Sequence, residues 1–222
     1  MERLLIFDIE STGLPKRFDA PVTDTDNWPR ILQLSYEVCW SNGDTIKKKT
    51  CLIKPDGWEV PSVDYFIRKG VEPHLAPNAA KFWTDNGFTQ EQNMAKGEPI
   101  EQVLVEMLQS MNSADVLISH NMAFDKPVLA CEMYRYGISP GKVRKSHPYG
   151  LKPTGHLRDY CTKVNSTDVC RIPGMYGKYK WPSLQEAYKY LTGKDFTDGH
   201  DAGHDVQACK EVYLMLVALD EI

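Results

Sequence analysis

Two carboxylates, Asp8 and Glu10, close an apolar run near the start of the chain, in Leu4-Leu5-Ile6-Phe7-Asp8-Ile9-Glu10-Ser11-Thr12-Gly13. A short apolar run of this kind reads as a buried strand. Residues two apart in a strand share a face, so the pair would stand side by side at the strand's end. Bare like charges so placed repel, and at least one tends to be driven neutral. A hard divalent cation removes the conflict, because carboxylate oxygens are its preferred ligands. Taken alone, the pair fits a solvated strand end followed by a Thr-Gly turn equally well.

Two further segments carry related chemistry. His120-Asn121-Met122-Ala123-Phe124-Asp125 follows a second short apolar run, Asp115-Val116-Leu117-Ile118-Ser119. Asp125 then falls at the opening of a helix, where an acid also suits the helix dipole without any ligand. Gly199-His200-Asp201-Ala202-Gly203-His204-Asp205 opens the last apolar helical pattern. It sets one histidine five residues before an aspartate and a second directly beside that aspartate. A capped helix start with surface histidines would account for this segment alone, with Asp201 or Asp198 as the cap. Gly203 counts against such a helix by ~1 kcal/mol.

These segments need a frame that brings strand ends and helix starts together. Strands are expected over residues 3–8, 31–40 and 45–54, with a hairpin turn at Ser41-Asn42-Gly43-Asp44 between the last two. Lys47-Lys48-Lys49 reads as an edge-strand feature rather than a nucleic-acid tract. Pro55, Pro61, Pro73 and Pro77 argue against long elements across 55–98, with some helix near 79–86. Ile100, Val103, Leu104, Met107, Leu108 and Met111 recur at helical spacing. A strand over 115–119 and a helix running to Tyr136 follow, then a short strand near 157–161 and helices over 183–192 and 201–219. The order describes a mixed α/β domain with an antiparallel meander at its start, one domain over residues 1–222.

Composition bounds the function. The chain has 222 residues, and its 42% apolar content can bury a real core. No apolar stretch approaches the ~20 residues that span a bilayer. The run after Glu2 and Arg3 lacks a signal peptide's long apolar region, so a cytoplasmic protein with no membrane partner is expected. Six cysteines lie scattered without a C-x-x-C pair, which argues against a zinc ribbon and for buried free thiols. A net charge of -4 weighs mildly against a non-specific DNA binder, unless the acids gather in a metal site.

Together the three motifs resemble those of the DEDDh exonucleases, the group that includes the proofreading (epsilon) subunit of bacterial replicative polymerase. Phe7-Asp8-Ile9-Glu10-Ser11-Thr12-Gly13-Leu14 matches the first motif; His120-Asn121 with Phe124-Asp125 matches the second; His200, Ala202 and Asp205 match the third, H-x-A-x-x-D. The sibling group has a tyrosine in place of that histidine, and this chain has none there. The resemblance runs from residue 3 to about residue 219. It implies an RNase H-like fold, a mixed central sheet whose first three strands are antiparallel, flanked by helices. It also implies metal-dependent hydrolysis from the 3′ end, releasing nucleoside 5′-monophosphates, with two divalent cations, Mg²⁺ or Mn²⁺, as cofactors.

By that resemblance Asp8 bridges both ions, Glu10 and Asp205 complete the water-activating site, and Asp125 helps hold the second ion. His200 is the implied general base, since an imidazole titrates near neutral pH; His204 is the rival. Gly203 stands where the family has a large apolar residue, a departure that would loosen the helix start. The backbone around Thr12-Gly13 and the side chain of Leu14 would lie near the terminal nucleotide. His120 and Asn121 would shape the site, and Phe124 reads as core.

Two basic, aromatic segments could track a strand: Lys142, Arg144, Lys145, His147 and Tyr149, then Arg171, Tyr176, Lys178, Tyr179, Lys180 and Trp181. The expected substrate is single-stranded DNA or a frayed 3′ end. Alternatives are an exoribonuclease of the same family, a proofreading module serving a DNA polymerase in trans, or a nucleic-acid-binding module with a decayed site. Residues 56–78, with Trp58, Tyr65, Phe66 and His74, look like material added to the compact family pattern.

Overall fold

The computed structural model describes residues 1–138, 157–196 and 201–220. Among them, β1 (Arg3–Ser11), β2 (Ile31–Trp40), β3 (Thr45–Leu52), β4 (Val116–Ser119) and β5 (Arg158–Cys161) form one sheet in the order β3-β2-β1-β4-β5. β1 pairs antiparallel with β2, and β2 with β3. β4 runs parallel to β1, and β5 parallel to β4. The carboxyl ends of β1 and β4 therefore open at the same edge, where open α/β sheets gather ligand-binding groups.

The helices are α1 (Val63–Arg68), α2 (Ala76–Asp85), α3 (Gln90–Lys96), α4 (Ile100–Ser113), α5 (Met122–Arg135), α6 (Thr162–Asn165), α7 (Thr167–Cys170), α8 (Leu184–Thr192) and α9 (Ala202–Asp220). The spacing of Ile100, Val103, Leu104 and Met107 gives α4 its buried face. α8 begins with a capping box, Ser183 with Glu186, and stops at Gly193, whose φ of 73° is left-handed. Periodicity does not predict α1 and α3, which are too short to show a repeat. Each is set by a cap instead: Ser62 Oγ accepts from the Tyr65 amide, and Thr89 Oγ1 from the Gln92 amide.

The core lies on both sides of the sheet, and β1 divides itself between them by its period of two. Leu5, Phe7 and Ile9 pack with Val103, Leu104 and Met107 of α4 and Val128 and Leu129 of α5. Leu4 and Ile6 pack with Leu184 and Ala187 of α8 and with Val206, Cys209, Val212 and Leu216 of α9. Asp8 and Glu10 continue the second set, so alternation alone turns both carboxylates toward α9.

Candidate active site: a carboxylate cluster at one sheet edge

One carboxylate oxygen each from Asp8, Glu10 and Asp205 lies within 4.8 Å of the others. Two strand positions and the first turn of α9 thus converge across 195 or more residues of chain. The means is visible in the ladder. Gln33 faces Glu10 in the β1–β2 register. Its Oε1 accepts from the Ala202 amide at 2.9 Å, and its Nε2 donates to Asp201 Oδ2 at 3.1 Å. Gln33 therefore holds the start of α9 beside Glu10, and Asp205 follows one turn on. A register shift between Glu10 and Ser11 ends the regular pairing there, a device that re-aims side chains at sheet edges.

Asp201 is the cap of α9: its Oδ1 accepts from the amides of Gly203 at 2.9 Å and His204 at 3.3 Å. Gly203 does not loosen this helix start. A Cβ at this buried glycine would meet Asp201 Oδ1 at 2.9 Å and Thr50 Oγ1 of β3 at 2.9 Å. The close approach of helix, cap and sheet leaves no room for a side chain here unless Asp201 or Thr50 shifts.

Asp125 opens α5 directly after β4 and lines the same cleft of about 270 Å³ as Asp8, Glu10 and Asp205. One of its oxygens, Oδ2, is buried with no hydrogen-bond partner among the described residues. Burial drives the Asp8 carboxyl well above the usual range, and the charges of Asp125, Asp205, Glu10 and Asp201 add to the rise. Burial, then Asp205, Asp125 and Asp201, push Glu10 up to about 8. Asp125 is raised by burial to about 7; a hydrogen bond from Ser119, a backbone bond at Asn121 and the Lys163 ammonium pull the other way. The bare cluster cannot be fully ionised at neutral pH. An oxygen-only donor set with an unsatisfied buried acceptor and mutually repelling carboxylates suits one or more hard divalent cations.

Of the other expected site residues, His120 and Asn121 line this cleft. Both His120 nitrogens are engaged by the protein: Nε2 lies 3.1 Å from the Pro182 carbonyl and Nδ1 3.0 Å from Thr162 Oγ1. The carbonyl can only accept, so Nε2 carries the proton and Nδ1 takes the Thr162 hydroxyl's. Burial lowers His120 to about 4. The ring shapes the cleft as a neutral strut between β4, α6 and Pro182. Asn121 Oδ1 accepts from Lys163 Nζ at 3.3 Å.

Gly13 and Leu14 border a second cleft of about 280 Å³ beside Glu10, walled by Phe82, Trp83 and Phe124. Leu14 is 75% exposed, and Gly13 has φ 146°, which favours glycine. Thr12 turns away to a third cleft. His200 and Asp198 lie outside the described residues, as do Lys142, Arg144, Lys145, His147 and Tyr149. His204 is described and is exposed.

Sequence reasoning missed Gln33, Lys163, and the α2 pair Phe82 and Trp83. Lys163 is a cation of the acid cleft and stands 5.4 Å from the ring centre of Trp181, which is well exposed. Trp83 Nε1 donates to the Ser11 carbonyl at 3.0 Å, tying α2 to the end of β1. None of these carries a local signal, since each is brought in by the fold.

No family model matches the chain, and no curated protein matches it. Solved structures do. E. coli exonuclease I in complex with a dT13 oligonucleotide aligns over 100% of this chain and 43% of that one, with TM-score 0.66 and 18% identity. The same enzyme with a 5cy-dA13 oligonucleotide aligns over 98% and 41%, with TM-score 0.59 and 16% identity. Exonuclease I in its apo form aligns over 98% and 42%, with TM-score 0.59 and 16% identity. This chain spans less than half the length of these proteins. At such identities the likeness is one of fold: the chain shares the α/β exonuclease fold of E. coli exonuclease I.

Proposed function

We propose that the chain is a metal-dependent 3′–5′ exonuclease acting on single-stranded DNA or frayed 3′ ends and releasing nucleoside 5′-monophosphates. The observation that carries this reading is the meeting of Asp8, Glu10 and Asp205 within 4.8 Å, with Asp125 in the same cleft. The fold shared with exonuclease I supports it, and the complexes of that enzyme with oligonucleotides favour a single-stranded substrate.

Asp8, Glu10, Asp125 and Asp205 would hold two divalent cations, Mg²⁺ or Mn²⁺. Bound cations supply water activation and neutralise charge on the leaving oxygen in such a site. The protein's own groups do the rest. Gln33 and Asp201 fix the α9 start so that Asp205 faces Glu10. Neutral His120 keeps the β4 end rigid without adding charge. Lys163 offsets part of the acidic field on the side of Asp125. His200 is the proposed base, taking the proton of the attacking water; it adjoins Asp201 in the chain. Gly13, Leu14, Phe82 and Trp83 offer the terminal nucleotide an apolar, partly aromatic cleft next to Glu10. The same chemistry would trim mispaired ends beside a separate polymerase chain, a role that only the family resemblance adds.

The test compares labelled single-stranded DNA, duplex DNA and RNA under Mg²⁺ or Mn²⁺, with products resolved by length. A ladder shortening from the 3′ end of single-stranded DNA, faster than of duplex, is expected. Internal cuts, or faster shortening of RNA than of DNA, would reject the reading as stated.

A further inference from the structure

Thr12 opens on a cleft of about 440 Å³ whose other walls include Arg30, Trp58, Tyr65, Arg68 and Lys69. This volume falls within the ~300–1,000 Å³ of small-ligand sites. Four of these residues come from the 56–78 segment that the family pattern leaves unexplained. We propose that this cleft is a binding subsite for the single strand upstream of its 3′ end, with Arg68 and Lys69 on phosphates and Tyr65 under a base. The inference rests on reading the chain as a nuclease of single strands.

The cleft is fixed to the acid-bearing strand. The Thr12 amide donates to the Arg30 carbonyl, and the Arg30 amide to Thr12 Oγ1, both at 2.9 Å. On the other side, Phe66 of α1 sits 5.7 Å from Trp83, which is bonded to Ser11. A strand end lying on β1 would thus meet a cleft whose walls are tied to the end of that strand.

Charge argues the same way. The chain is net acidic and its carboxylate cluster repels phosphate, so a strand needs nearby cations that are not already committed. Arg30 is committed: its Nε bonds Glu132 at 2.7 Å, and its guanidinium covers Trp58 at 5.5 Å. Lys69 forms no salt bridge among the described residues; its Nζ stands 5.6 Å from the Tyr65 ring centre. Arg68 pairs with Glu59, but both are more than half exposed. Such a pair is worth only ~0–1 kcal/mol, and a phosphate offers the guanidinium a bidentate replacement.

Packing of Phe66 on Trp83 holds α1 in place, yet none of its residues is fully buried, and Tyr65 stays half-open. A cation beside a half-open aromatic ring is the pairing by which single-strand grooves hold base and backbone together. An acidic peptide would use the cations but gain little from Tyr65.

The experiment titrates 5′-fluorescein oligothymidylates of about twelve and about four nucleotides, lengths bracketing one strand-binding site, in EDTA. Wild type, Arg68→Ala/Lys69→Ala, Tyr65→Ala and Glu59→Gln are compared, with melting curves for each. The longer strand should bind about ten-fold more weakly to the double variant, with a salt slope reduced by about 1.4, or ~0.7 per lost contact. Tyr65→Ala should also bind it about ten-fold more weakly. Glu59→Gln, which frees Arg68, should bind it several-fold more tightly. The four-nucleotide strand should be bound and, with Mg²⁺, shortened as by wild type.

Unchanged affinity and slope for the longer strand would overturn the inference. So would equal losses for both lengths, a lowered Tm with unchanged binding, or binding that polyglutamate abolishes while Tyr65→Ala does not affect it. If wild type shortens neither strand yet the length-dependent losses appear, the nuclease reading fails and the subsite stands. If both strands are shortened and binding is unmoved, the reverse holds.

Discussion

Replacing Glu10 by glutamine should stabilise the metal-free protein while weakening its hold on metal. Glu10 titrates ordinarily near 4.5 and here near 8, chiefly from burial and then from Asp205, Asp125 and Asp201. Between those values the folded chain binds more protons than the unfolded one, so metal-free stability falls as pH rises through the window. At pH 7 the unfolded carboxyl is ionised and the folded one is held protonated. The difference, from 4.5 up to 7 at 1.36 kcal/mol per pH unit, is about 3 kcal/mol; at pH 5 it is about 1 kcal/mol. Three is a ceiling, because Asp8 and Asp125 relieve part of the repulsion by taking up protons themselves. For a chain of this size it corresponds to ~6–12 °C in Tm at pH 7. His120 runs the opposite way, its stability lost as pH falls from 6.5 toward 4, but it is common to both proteins and cancels in the difference. The assay is thermal melting of wild type and Glu10→Gln in EDTA at pH 5, 6 and 7, then with Mn²⁺ added. The variant should melt higher in EDTA by a margin that grows with pH, and gain less from Mn²⁺ than wild type does. A variant that melts lower at pH 7, or a margin flat across pH, would refute the argument that burial and the neighbouring carboxylates hold Glu10 protonated in the absence of metal.

Gln33→Ala leaves the buried Ala202 amide without its acceptor, which should cost about 1–3 kcal/mol and weaken Mn²⁺ binding several-fold in a calorimetric titration; unchanged Mn²⁺ affinity would remove Gln33 from the site's support. Gly203→Ala forces the new methyl against Asp201 and Thr50 and should cost about 1–3 kcal/mol in urea unfolding, whereas an equal or higher midpoint would show that the helix start has room. His200→Ala should lower turnover about 10²–10⁴-fold, the usual range for a general base, while His204→Ala keeps it; the reverse pattern in initial rates would move the base to His204.

The site's acids were legible because each obeys a local rule that can be read along the chain. Alternation along β1 places Asp8 and Glu10 on one face, opposite Leu5, Phe7 and Ile9. Asp125 and Asp205 sit where an apolar strand or a cap gives way to a helix. What could not be read depends on contacts distant in sequence. Gln33 acts across 169 residues on Ala202, and its composition differs in nothing from any strand glutamine. Gly203 looked like a helix fault until Thr50 of β3 was seen against it. His120 is fixed in the cleft by Thr162 and Pro182 on its two nitrogens, partners 42 and 62 residues away that no local pattern announces. α1 and α3 escaped because one or two turns show no period, and only their caps mark them.

The most direct measurement is the rate at which 5′-labelled single-stranded DNA is shortened by wild type and by Asp8→Asn, with Mg²⁺ and with EDTA. Wild type with Mg²⁺ should yield a ladder receding one nucleotide at a time from the 3′ end, and the other three arms should leave the strand intact. Full activity in EDTA, or an Asp8→Asn protein as fast as wild type, would contradict the account.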